Sequence, residues 1–310
     1  MGQLVDGIWT KGSVSSNDES GSFKRLESVF RHNISDDNDK YIPETNRYHL
    51  YVSYACPWAH RTLIFRKLKK LENHISVDYI HPDMLDMGWS FATNFPETTG
   101  DTIHNKKYAH EIYQISDNKV STKATVPILW DKKTHTIVNN ESSEIIRIMN
   151  QSFNNISKNY DDYYPVNLRA EIDDINDVIY KNINNGVYKT GFSKTQASYD
   201  DAVQKLFSSL EMIEDKLEHQ DYLVGNTLTE ADIRFAPTLL RFDSVYYVHF
   251  KCSLKKISEF KNISRYLKKL FEIDAISSTT NFEHIKRHYY FSHEHINPHR
   301  IIPIGPENLF

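Results

Sequence analysis

Residues 48–62 read Tyr48-His49-Leu50-Tyr51-Val52-Ser53-Tyr54-Ala55-Cys56-Pro57-Trp58-Ala59-His60-Arg61-Thr62. The aromatic and β-branched run to Tyr54 alternates weakly and reads as a strand. Pro57 suits the first position of a helix, and Leu63, Ile64, Phe65, Leu68 and Leu71 follow at helical spacing. Cys56 therefore falls where a strand ends and a helix (57–72) begins. At such a place the helix N–H groups stabilise a thiolate, which is the nucleophilic form of cysteine. A lone cysteine can equally be a buried, inert packing residue. The Cys-Pro-Trp-Ala frame favours the reactive thiol. Ala59 stands where a Cys-x-x-Cys oxidoreductase has its resolving cysteine. The only other cysteine, Cys252, lies almost two hundred positions away. A mixed disulfide at Cys56 thus needs an external thiol, and glutathione is the obvious small-molecule candidate.

Outward from this stretch, Ile75-Ser76-Val77-Asp78-Tyr79-Ile80 reads as a second strand and completes a βαβ unit. Residues 81–122 show no clear period and read as a long inserted loop. Ala124-Thr125-Val126-Pro127-Ile128-Leu129-Trp130 is an apolar strand interrupted by proline. Either it carries a cis peptide at an edge facing an active site, as thioredoxin-like folds do with a Val-Pro pair, or it is an edge strand with a trans proline. After a short strand at 136–138, Asn139-Asn140-Glu141-Ser142-Ser143 opens a helix. Glu141 and Ser142 there can serve as a simple cap or, with the helix N–H groups, as a carboxylate site.

The chain has 310 residues, which predicts about two domains. A net charge of −4 gives no strong pull toward nucleic acid or an anionic membrane. Two cysteines fit a reducing compartment, no signal peptide is legible at the N-terminus, and no apolar run reaches a membrane span. These features predict a cytoplasmic protein. Residues 1–45 are polar and read as an extension with little regular structure. Beyond a polar joint at 151–164, apolar residues recur at three and four over 168–180, 200–217, 229–247 and 257–271, the mark of helices. Thr229-Glu230-Ala231-Asp232 reads as a capping box with Asp in the place of Glu or Gln. His288, His293, His295 and His299 have no ordered ligand spacing, so they read as solvated histidines and no metal site is expected. The architecture is a small α/β domain followed by an all-helical one.

Several motifs, in order along nearly the whole chain, resemble those of the Xi-class glutathione transferases, the glutathionyl-hydroquinone reductases. They are Gly21-Ser22-Phe23-Lys24-Arg25 with Phe30-Arg31, the run from Cys56 to Arg61, Asn185-Gly186-Val187-Tyr188-Lys189-Thr190-Gly191-Phe192, Arg241-Phe242-Asp243-Ser244-Val245-Tyr246, His288-Tyr289-Tyr290 and the tail from Asn297 to Pro306. The resemblance implies an extension (1–45), a thioredoxin-like glutathione-binding domain (46–155), a helical glutathione-transferase domain (165–296) and a tail (297–310). It implies that Cys56 is the nucleophile and that Trp89 packs against glutathione. Lys123, Ala124, Thr125 and Val126 would contact glutathione ahead of Pro127, and Glu141 and Ser142 would hold its γ-glutamyl end. Tyr188 would exchange a proton with the quinol oxygen, while Tyr246 and Tyr289 would hydrogen-bond toward the sulfur and lower its pKa. By residue type alone, each of these tyrosines is more often a core filler. Lys123 stands where Arg is expected, and a lysine lacks the bidentate fork, so weaker glutathione affinity is expected. The implied partners are glutathione, glutathionylated quinols and a second copy in a homodimer. Three other readings are an omega-like thioltransferase or dehydroascorbate reductase, an ordinary conjugating transferase, and a non-catalytic binding scaffold.

Overall fold

The structure is a computed structural model and describes residues 2–12, 17–18 and 20–306. The chain divides into two compact units. The first comprises Met1–Val14, Leu26–Asp161 and Ser278–His288, and the second Ser15–Arg25, Asp162–Ser277 and Tyr289–Phe310.

The first unit begins with a hairpin of β1 (Gly2–Val5) and β2 (Ile8–Lys11). This hairpin lies within the stretch expected to have little regular structure. Its turn is Asp6-Gly7, both at positive φ (48° and 75°), which is the signature of a tight two-residue hairpin. A Cβ at Gly7 would also sit 1.8 Å from the Asn118 carbonyl oxygen, so both conformation and space require glycine.

The core of this unit is a mixed four-stranded sheet in the order β4-β3-β7-β8, built from β3 (Tyr48–Val52), β4 (Ser76–Tyr79), β7 (Ile128–Asp131) and β8 (Thr136–Asn139). β3 and β4 run parallel around α1 (Pro57–Leu68), while β3–β7 and β7–β8 are antiparallel. All five residues of β3 are buried, as suits an inner strand covered on both faces. The Val126–Pro127 peptide is cis. Contrary to the edge position expected, it sits just ahead of β7, an inner strand, so the proline removes no bond from the ladder. α3 (Ser142–Gln151) packs beside α1, and the short α4 (Asn154–Ser157) follows it.

Residues 81–122 are not one loop. They contain a small hairpin, β5 (Met84–Leu85) with β6 (Gly88–Trp89), and the helix α2 (Ala109–Ser116). No N-terminal signal marks this helix in the sequence, since Tyr108, not a capping residue type, precedes it. Glu111 supplies the cap, its carboxylate accepting the N–H groups of Lys107 at 2.8 Å and Tyr108 at 2.9 Å.

The second unit is helical: α5 (Arg169–Val178), α6 (Gly186–Gly191), α7 (Gln196–Lys216), α8 (Glu230–Arg241), α9 (Tyr247–His249), α10 (Lys261–Phe271) and α11 (Asp274–Ser277). The final helix, α12 (Phe282–Ser292), gives its residues through His288 to the first unit and the rest to the second. Two π-helical turns, Ile179–Asn184 and Phe242–Tyr246, interrupt the helical run. The expected capping box is present: Asp232 accepts the Thr229 N–H at 2.8 Å and hydroxyl at 3.0 Å.

Candidate active site

Cys56 is the N-cap of α1, with extended backbone (φ −79°, ψ 120°). Its N–H reaches the Ser53 carbonyl at 3.1 Å, and its own carbonyl accepts the His60 N–H at 2.9 Å. The strand end thus hands the residue directly to the helix. Sγ lies 3.4 Å from the Val126 carbonyl oxygen, the last group before the cis proline. The side chain is 8% exposed, and no acidic residue occupies the first helical turn to oppose a thiolate.

One and a half turns on, Arg61 is buried, with its guanidinium over the Trp58 ring at 4.5 Å and Nη1 3.4 Å from the Ser142 hydroxyl. This cation, which the sequence reading did not single out as a site residue, ties α1 to the start of α3. Glu141 is the N-cap of α3: its carboxylate accepts the Ser143 N–H at 3.1 Å and hydroxyl at 2.8 Å, and the Ser28 hydroxyl at 3.2 Å. Glu141 thus caps the helix, and a carboxylate with two oxygens keeps capacity for a further donor. Ser142 is buried beside it.

Lys123 and Ala124 are half-buried, Thr125 is exposed and Val126 is buried. Successive residues of an extended segment present their groups to opposite sides. The backbone N–H and carbonyl of Thr125 both pair with the Tyr113 hydroxyl, at 3.1 and 2.9 Å, while the Val126 carbonyl faces Cys56. Trp89, in β6, is buried and stacks on His288 with ring centroids 4.8 Å apart. His288 in turn bonds the Pro82 carbonyl through Nδ1 at 2.7 Å.

The three tyrosines form a second set, within the helical unit. The Tyr289 hydroxyl lies 2.6 Å from that of Tyr188 and 3.0 Å from that of Tyr246. Tyr246 and Tyr289 are fully buried, and Tyr188 is half-buried. Burial, reinforced by the Tyr188 phenol, pushes Tyr246 and Tyr289 well above the ordinary tyrosine range, so both are held neutral. The Tyr188 ring packs against Phe250 at 5.4 Å, Phe192 at 6.0 Å and Phe23 at 6.3 Å, with the Arg25 guanidinium 5.0 Å over it. Arg25 is oriented by the Asn185 side-chain oxygen at 2.7 Å. Tyr188 follows one π-helical turn and Tyr246 ends the other, a placement that re-aims side chains relative to an α-helix.

Cys252 is buried in the same helical unit, and burial pushes its thiol far up. His288 and His293 are also buried, not solvated as expected. His293 bonds His249 at 3.1 Å, whereas His295 and His299 are exposed. Among the described residues no group of three His, Cys, Asp or Glu could hold a metal ion, and no helix is long and apolar enough to cross a membrane.

The chain matches two family models: "Glutathione S-transferase, N-terminal domain" over residues 55–152 and "Glutathione S-transferase, C-terminal domain" over 196–269. It is 48% identical to the glutathionyl-hydroquinone reductase YqjG of Escherichia coli K12, covering 99% of this chain and 95% of that one. The glutathione-bound structure of YqjG superimposes with a TM-score of 0.91, covering 99% and 97% of the two chains at 46% identity. The glutathione-S-transferase Xi of Phanerochaete chrysosporium superimposes with a TM-score of 0.92 at 50% identity, covering 94% and 95%. Identity at this level over the whole length, in both the thioredoxin-like and the helical portions, decides the assignment: the chain belongs to the Xi class of glutathione transferases, the class of the glutathionyl-hydroquinone reductases.

Proposed function

We propose that this chain is a glutathione-dependent reductase of glutathionyl-hydroquinones, with Cys56 as its nucleophile. The observation that carries the reading is the setting of Cys56: it caps a helix, faces the Val126 carbonyl and has no cysteine at position 59. Whole-length similarity to a protein named for this activity supports it. Cys56 thiolate attacks the glutathione sulfur of the conjugate, forming an S–S bond as the carbon–sulfur bond breaks. The electron pair of that bond passes to the aromatic carbon, which takes up a proton. Tyr188 assists by exchanging a proton with the quinol oxygen, so that the ring passes through a keto form. A second glutathione thiolate then attacks the mixed disulfide, releasing glutathione disulfide and restoring Cys56. One conjugate and one glutathione thus yield one hydroquinone and one glutathione disulfide.

Glutathione is bound in this reading by Val126 through its backbone, by Glu141 and Ser142 at the γ-glutamyl end and by Trp89 through its ring. Lys123 and Ala124 flank it, and Thr125 contributes by holding the segment in place. Tyr289 and Tyr246 keep the Tyr188 hydroxyl in a neutral hydrogen-bonded chain. No metal takes part in the proposed steps. A homodimer and a cytoplasmic location complete the proposal, the latter supported by a chain with two cysteines in 310 residues. The test is release of hydroquinone from a glutathionyl-hydroquinone with excess glutathione. Wild type releases it and Cys56→Ser does not. Equal release by both would refute the nucleophile, and none by wild type would refute the activity.

A further inference from the structure

Tyr113 was not singled out by its residue type, yet its hydroxyl joins the two segments assigned to glutathione. It lies on α2 and is fully buried. A phenol has one proton to give and two lone pairs to receive. Here the proton goes to the Thr125 carbonyl at 2.9 Å, and the lone pairs accept the Thr125 N–H at 3.1 Å and the Asn140 side-chain amide at 3.0 Å. The capacity of the hydroxyl is therefore spent on two loops.

Each loop depends on that knot. Thr122 is held by a two-bond bridge to Leu4, and the ladder resumes at Ile128. Between them the backbone of Thr125 pairs with the Tyr113 hydroxyl, one residue from the Val126 carbonyl that faces Cys56. On the other side, Asn140 exchanges two bonds of 3.1 Å with the backbone of Phe30, so its amide is fixed from behind. It directly precedes Glu141 and Ser142 at the start of α3. The Phe30 ring packs edge-on to Tyr113 at 5.8 Å, which closes this region over the phenol.

We propose that Tyr113 is a positioning residue for glutathione: its hydroxyl sets the spacing between the Val126 backbone and the Glu141–Ser142 helix start. The inference rests on the reading that these segments bind glutathione. Removing the hydroxyl leaves the ring in place but frees the Thr125 segment and the Asn140 amide from a common anchor. The two ends of a bound tripeptide then meet a site of variable span. The cost falls on binding, since the atoms that react are untouched.

The experiment measures glutathione binding by titration calorimetry in the full-length Cys56→Ser protein, with and without Tyr113→Phe, alongside steady-state kinetics of Tyr113→Phe with intact Cys56. The expected result is a roughly tenfold rise in Kd and in KM for glutathione, the loss typical of a hydrogen-bonded anchor, with kcat changed less than threefold. Asn140→Ala, which cuts one arm of the knot, should raise Kd by a smaller factor and covers the case in which Tyr113→Phe fails to fold. A folded Tyr113→Phe that loses thermal stability but binds glutathione within twofold of its parent would overturn the proposal. Absence of glutathione binding by the Cys56→Ser parent would instead overturn the reading of the site on which it rests.

Discussion

The hydroxyls of Tyr188 and Tyr289 lie 2.6 Å apart, and that of Tyr289 continues to Tyr246 at 3.0 Å. Burial keeps Tyr289 neutral, so it can give a proton to one neighbour while accepting from the other. Tyr289→Phe should lower kcat by roughly 10- to 100-fold, at or below the usual contribution of a positioned acid–base group, because it removes the hydroxyl that orients Tyr188. KM for glutathione should stay within twofold. Steady-state kinetics at fixed pH check this, and an unchanged kcat would remove the phenol chain from the mechanism.

Gly191 makes room for the aromatic cluster. A Cβ there would sit 2.3 Å from Phe250 Cγ, and Phe250 packs on Tyr188. Gly191→Ala should destabilise by about 1–3 kcal/mol through overpacking and lower turnover as Tyr188 is displaced. Thermal unfolding and activity of the same sample measure both effects.

Asp232 is fully buried and accepts four hydrogen bonds, from the Leu223 N–H, the Thr229 N–H and hydroxyl, and the Tyr266 hydroxyl. Replacing it by alanine strands these donors, each at a cost of roughly 1–3 kcal/mol where water cannot enter. Asp232→Ala should therefore lose at least about 3 kcal/mol in denaturant unfolding or fail to fold. A loss near that of an exposed cap, about 1 kcal/mol, would contradict the accounting.

Stability should fall in two stages on acidification. Burial holds His81, His110 and His284 below the ordinary histidine value, so the unfolded chain takes up their protons first and stability drops as pH falls below about 6.5. Burial would raise Asp131, but the Arg47 fork at 2.9 and 2.7 Å, with Lys133 and Thr134, outweighs it and holds the carboxyl low. That contribution is present above about pH 4 and is lost as pH falls through the folded value. Melting temperatures from pH 8 down to about pH 2 should show both declines, with the first reduced in His284→Gln. A flat profile between pH 8 and 5 would contradict the histidine stage.

What the sequence disclosed follows from how local each signal is. Cys56-Pro57 and Thr229 to Asp232 are contiguous strings whose geometry is fixed by near neighbours, and the helix starts fall there. Asp6-Gly7 was equally local and readable, but a polar neighbourhood masked the hairpin it closes. The tyrosine cluster is different. Its members are 101 and 43 positions apart, and two π-helical turns break the 3.6-residue period that would have aligned them. Only the resemblance named them. Tyr113 sits on a helix whose start carries no ordinary capping residue, and its importance comes from three bonds to distant backbone and side-chain groups, which no periodicity encodes.

The central claim is that Cys56 takes the glutathionyl group from the substrate. The most direct test mixes the protein with a glutathionyl-hydroquinone in the absence of free glutathione, then reads intact mass and the modified peptide. The account predicts one glutathionyl group on Cys56, none on the buried Cys252, and one equivalent of hydroquinone released. Release of hydroquinone with Cys56 unmodified, or a glutathionyl group found on Cys252, would contradict it.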